Sequence, residues 1–183
     1  MHCGRLLASG WQRSHPCWRQ LANSGSPEDW IVTKDFADFL DALNVEGARY
    51  VIIGGIAVLS LIPYRTTRDL DILIEPTLEN AGKVRNAVRR WGGFEPDFAP
   101  ADFISGDVFS FGGLLRVEIH SRVPGSDWEG VWARRVCEEF LGVPTQFASL
   151  EDLILMKEAA ARPAKDIPDL KRLRKLKERG KNR

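Results

Sequence analysis

Residues 50–75, YVIIGGIAVLSLIPYRTTRDLDILIE, leave this chain few ways to fold. Tyr50 to Ile53 form an apolar run of strand length that Gly54-Gly55 stops. Ile56 to Ile62 can continue as a short helix, which Pro63 ends. A second strand then carries Asp69 and Asp71, with Leu70, Ile72 and Ile74 alternating against them. Side chains alternate along a strand, so the two carboxylates share one face, about 7 Å apart, while the aliphatic residues pack on the other. Glycine lets a phosphate approach the backbone closely. A helix starting at that point turns its free N–H groups and positive dipole end toward the same place. Strand, Gly-Gly, helix and a two-carboxylate strand are therefore the layout of a site that holds phosphate on backbone and divalent metal on aspartate.

The remaining pattern supplies the rest of a mixed sheet and its helices. Phe36, Phe39, Leu40 and Leu43 fall at helical spacing in Lys34–Leu43, with Thr33 as a candidate cap. Thr77 caps an expected helix from Leu78 to Trp91 that Gly92-Gly93 ends. Residues 107–111 and 114–121 flank Gly112-Gly113 and read as a hairpin with a two-residue turn. In its second arm Arg116, Glu118 and His120 alternate with apolar Leu115, Val117 and Ile119. Ser126 or Asp127 starts an expected helix through Phe140, with Trp128, Trp132 and Val136 along one face. Val143–Phe147 reads as a short strand. Ser149-Leu150-Glu151-Asp152 resembles a capping box for a helix to Ala161, with Leu153, Ile154 and Met156 inward. A last helix runs from about Ile167 to Arg179, striped by Leu173 and Leu176. The expected class is α+β, a small mixed sheet flanked by helices with a C-terminal helical segment.

Composition narrows the function. At 44% apolar and 28% charged residues the chain is neither disordered nor membrane-spanning in character. Its net charge of +1 is uneven: residues 162–183 carry ten Lys or Arg against three acids, leaving about −6 on the remainder. That basic helix is either a solvated face or a patch for RNA phosphates. Cys3, Cys17 and Cys137 have neither metal nor disulfide-framework spacing, which fits a cytoplasmic protein. Residues 1–30 are set apart as an extension, because the first 27 contain no acid and show no period; residues 31–148 form the expected core and 149–183 the C-terminal helices. P-loop, G-x-G-x-x-G and H-E-x-x-H motifs are lacking.

Gly54-Gly55, thirteen residues, then Asp69-Leu70-Asp71-Ile72 on the next strand resembles the signature of the nucleotidyltransferase superfamily. Glu118 stands where that superfamily places its third carboxylate, most often an Asp. The blocks Ser149–Lys157 and Ala161–Leu170 resemble the C-terminal part of AbiEii-type bacterial nucleotidyltransferases, a group that includes toxins of toxin–antitoxin and phage-defence systems. The resemblance covers about residues 35–175. It implies a nucleotidyltransferase fold and transfer of NMP from an NTP to a hydroxyl on RNA, a protein or a small molecule, with a cognate antitoxin as a partner. Asp69, Asp71 and Glu118 are then the metal ligands for one or two Mg²⁺, acting with Lys157 and Asp166 as the catalytic set. Gly54, Gly55, Arg65, Thr66, Arg68 and Lys157 are the residues implied for the nucleotide. His120, on the face of Glu118, reads as a structural histidine. The alternative is a non-catalytic nucleotide-binding or partner-binding protein of the same fold, which the Glu in place of Asp keeps open.

Overall fold

Tyr50, Val51, Ile52 and Ile53 are all buried, as a strand covered on both faces requires, and the rest of the fold is arranged around that strand. The computed structural model describes residues 27–62, 67, 69–111, 116–160 and 163–181, with side chains from residue 34 onward and, in the last helix, from residue 166. The elements are α1 (Pro27–Val45), β1 (Tyr50–Ile53), α2 (Gly54–Leu61), β2 (Asp69–Ile74), α3 (Leu78–Gly92), a 3-10 turn (Pro100–Ile104), β3 (Phe109–Phe111), β4 (Arg116–His120), α4 (Trp128–Arg134), β5 (Val136–Phe140), β6 (Val143–Phe147), α5 (Leu150–Ala159) and α6 (Pro163–Lys181). The strands form one mixed sheet in the order β3-β4-β2-β1-β6-β5. β1 runs antiparallel to β2 and parallel to β6, while β2 runs parallel to β4. The protein is thus a mixed α and β structure. No helix among the described residues is long and apolar enough to cross a membrane.

α1 packs on α3, α2 packs on β1, β2 and α5, and α5 packs on α6. Phe39, Leu40 and Leu43 of α1 join Ile52, Ile72, Ile74 and Val84 in the core. Tyr50 is buried in it, and its hydroxyl donates to Asn44 Oδ1 at 3.1 Å. Burial pushes that hydroxyl well above the ordinary tyrosine range, and the Asn44 bond offsets only part of the effect. α3 keeps both expected ends: Thr77 accepts from the Asn80 amide, and Gly93 closes the helix at φ 66°.

Four expectations change. α1 begins at Pro27 and runs through Thr33, so the boundary at residue 30 moves back; Pro27 with Glu28 and Asp29 is itself a favourable helix start. The Gly112-Gly113 segment and Leu115 lie outside the described residues, but the register excludes a two-residue turn there. Phe111 pairs with Val117 and Phe109 with Ile119. A two-residue turn would have set Phe109 opposite Arg116, whereas the observed register sets apolar residues against apolar ones. The expected helix through Phe140 stops at Arg134, and Val136–Phe140 is instead strand β5, paired antiparallel with β6. Its turn is Leu141-Gly142, both at positive φ (54° and 85°), the backbone that a two-residue hairpin selects. The last helix starts at Pro163 rather than Ile167, with Pro168 inside it.

Candidate functional site

The parallel pairing of β2 with β4 sets Asp71 directly beside Glu118, Asp69 beside Arg116 and Leu73 beside His120. Arg116, Glu118 and His120 share one face of β4 by the two-residue period. On that face one oxygen of Asp71, one of Glu118 and one His120 nitrogen lie within 4.8 Å of one another, a grouping able to hold a metal ion. His120 Nε2 is 3.5 Å from Asp71 Oδ1 and 3.8 Å from Glu118 Oε2. It is shut off from solvent and makes no hydrogen bond. Both separations are long for hydrogen bonds and suit two ligands of a shared cation. Glu118 also has Arg116 Nη1 at 3.5 Å from Oε1.

The Gly-Gly pair forms the first turn of α2 rather than a separate loop, and it bears directly on Asp71. Gly54 has φ 62°, and a Cβ there would stand 2.0 Å from Asp71 Oδ2. Glycine is required on both counts, conformation and space. The Gly55 N–H donates to Asp71 Oδ2 at 3.3 Å, and a Cβ on Gly55 would stand 2.7 Å from Thr67 Oγ1. The helix start therefore faces a carboxylate of its own chain, which its dipole favours. Burial pushes the Asp71 carboxyl up, but the neighbouring His120 imidazole, the Gly55 N–H and Glu118 together outweigh burial and hold it below its ordinary value.

The structure brings Asp71, Glu118, Gly54 and Gly55 together, with His120 added. Asp69 lies outside the three-residue grouping; it starts β2 beside Arg116, and its amide bonds Thr67 Oγ1 at 3.3 Å. Arg65, Thr66 and Arg68 lie outside the described residues. Lys157 is buried in α5 and pairs with Asp166 at 2.9 Å and Asp169 at 2.8 Å on α6. Asp166 and Asp169 are themselves buried, so this group joins the two helices through charge. Sequence reasoning left out Asp169, whose three-residue step from Asp166 on a helix was the available signal.

A second polar group lies beyond the strand ends. Arg134 holds buried Asp152 through two nitrogens, the closest contact being 2.5 Å, and the Ser149 hydroxyl donates to the same carboxylate. Arg49 lies over the stacked Trp128 and Trp132 rings, 4.5 Å from the Trp132 centroid. No protein-family model matches the chain, and no curated protein does either.

Proposed function

We propose that this protein is a metal-dependent nucleotidyltransferase of the nucleotidyltransferase fold, moving NMP from an NTP to a hydroxyl acceptor. The observation that carries the reading is the joint placement of the Gly54-Gly55 helix start, Asp71 and Glu118 on one sheet face. Asp71 and Glu118 would hold the metal, and Asp69 stands on the same strand face toward a second position. A bound Mg²⁺ supplies charge neutralisation at the triphosphate and acidity at the acceptor hydroxyl.

The chain's own residues would do the following. Gly54, lacking a side chain, leaves the approach to Asp71 open from the helix side. The Gly55 N–H orients Asp71, so its other oxygen turns toward His120 and Glu118. The α2 N-terminus favours the phosphates by its dipole. The acceptor oxygen attacks the α-phosphorus, the bond to the pyrophosphate oxygen breaks, and the acceptor proton leaves to water or a carboxylate. Lys157 and Asp166 contribute by fixing α6 on α5, which packs against α2. Basic α6 favours RNA or an acidic protein partner over a small molecule as acceptor, consistent with a toxin-type enzyme having a cognate antitoxin.

A second reading, a non-catalytic protein of this fold, draws on one observation. The Gly55 N–H and the Lys157 ammonium, both expected on phosphate, are engaged by carboxylates of the chain itself. Incubation with each α-labelled NTP and Mg²⁺ or Mn²⁺, with total RNA and cell extract as acceptors, separates the two. Label on RNA or protein that disappears with Asp71→Asn and Glu118→Gln supports the transferase. Absence of transfer together with absence of metal-dependent NTP binding refutes it.

A further inference from the structure

We infer that the ion at this site is held by His120 together with Asp71 and Glu118, and is a first-row transition-metal divalent cation, of which Mn²⁺ is the representative, in preference to Mg²⁺. The inference deepens the metal reading above and does not depend on nucleotide transfer.

Ligand atoms at about 2.1 Å from one ion lie about 3 Å apart at right angles and about 4.2 Å apart when opposite. The His120 Nε2 separations of 3.5 Å to Asp71 Oδ1 and 3.8 Å to Glu118 Oε2 fall inside that range. Nε2 is shut off from solvent and makes no hydrogen bond, and it lies within 4.8 Å of an oxygen of each carboxylate. Separations of 3.5 and 3.8 Å exceed ordinary hydrogen-bond lengths and match neighbouring ligands of one ion. Asp71 is held at its other oxygen by the Gly55 N–H, so the ligand oxygen is oriented in advance. Glu118 has the looser hold, with Arg116 3.5 Å from its other oxygen.

Donor chemistry sets the ion. Magnesium takes oxygen donors in a near-octahedral shell, and an imidazole nitrogen contributes little to it. Imidazole suits first-row transition metals, carboxylate suits Mg²⁺ and Mn²⁺ alike, and a set of two carboxylates and one imidazole therefore favours the transition-metal side. Asp69, which would be needed for an all-carboxylate set, stands outside the grouping.

The test is metal binding without nucleotide, on untagged full-length protein. Titration of Mn²⁺ followed by the electron paramagnetic resonance of the free ion, with Mg²⁺ as competitor, gives both affinities. The expected result is Mn²⁺ binding at least about tenfold tighter than Mg²⁺. His120→Asn should raise the Mn²⁺ dissociation constant about tenfold and leave that of Mg²⁺ within about twofold. Pulsed resonance on the Mn²⁺-loaded protein should show nitrogen coupling that His120→Asn removes while the other two histidines, His2 and His15, remain. Equal affinities, or a Mn²⁺ spectrum without nitrogen coupling, overturns the assignment. Should the variant fail to fold, the wild-type spectrum with His2→Asn and His15→Asn decides the matter alone. Nitrogen-coupled Mn²⁺ with neither label transfer nor metal-dependent NTP binding keeps this ligand set and sinks the transferase; transfer with Mg²⁺ and an uncoupled Mn²⁺ spectrum does the reverse.

Discussion

Replacing Gly54 by alanine should cost far more than a helix-terminal glycine ordinarily would, and most of the excess should disappear when the Asp71 carboxylate is removed. Two costs add. The φ of 62° is a left-handed conformation that costs an L-residue about 1–2 kcal/mol. The new Cβ would stand 2.0 Å from Asp71 Oδ2, so the carboxylate must turn away and lose the Gly55 N–H, a bond to a charged group worth about 1.5–3 kcal/mol. The expected total is about 2.5–5 kcal/mol, or a fall in Tm of about 5–20 °C for a chain of this size. The assay is urea unfolding by circular dichroism on wild type, Gly54→Ala, Asp71→Ala and the double variant. In the Asp71→Ala background the second change should keep the φ term and only part of the steric cost, since the Cβ at position 71, 2.9 Å away, still conflicts while the carboxylate does not. A coupling below about 0.5 kcal/mol would refute the claim that glycine is there to admit the carboxylate.

Other consequences can be checked in the same way. Lys157→Met should destabilise the fold by about 3–5 kcal/mol in denaturant unfolding, because Asp166 and Asp169 stay buried without the ammonium between them. Stability should fall at alkaline pH through Tyr50. Its folded-state pKa is raised, so its contribution is complete below the unfolded value of about 10 and is lost as pH rises from there toward the folded value. Tyr50→Phe should flatten that part of the pH profile, and an unchanged slope would count against it. Leu141→Gly should be neutral or stabilising in thermal unfolding, since glycine adopts φ 54° without the strain leucine bears.

Local signals carried much of the architecture. The apolar run at Tyr50, the glycines after it, and the alternation around Asp69 and Asp71 are short-range patterns, and β1, α2 and β2 follow them within a residue or two. Thr77 and Gly93 marked α3 for the same reason. β5 was hidden because Trp128, Trp132 and Val136 repeat every four residues, as a helix would. Pairing with β6 overrides that repeat once Leu141-Gly142 makes the turn. The register of β4 is a different kind of information. Which of Arg116, Glu118 and His120 meets Asp71 depends on aligning strands 47 positions apart in the chain, and no local pattern states it. From sequence Asp69 and Asp71 read alike as ligands and His120 as structural, whereas the register groups Asp71 with Glu118 and His120. Lys157 read as a nucleotide contact from the resemblance alone, and its pairing with Asp166 and Asp169 depends on how α6 lies on α5.

The two strands that carry the acidic and imidazole groups, β2 and β4, are interior strands of the sheet, and the edges are β3 and β5. Their pairing must wait for everything between residues 75 and 115 to have left the ribosome, but not for β5, β6 or the last two helices. A nascent chain that has just released Ser121 already holds every residue of the metal grouping. It still lacks β6, whose Phe147 pairs with Ile52 and covers the other side of β1. An ion held as proposed would be captured co-translationally, at a stage when the growing sheet is still open on one flank, and would act as a fastener for the half made first.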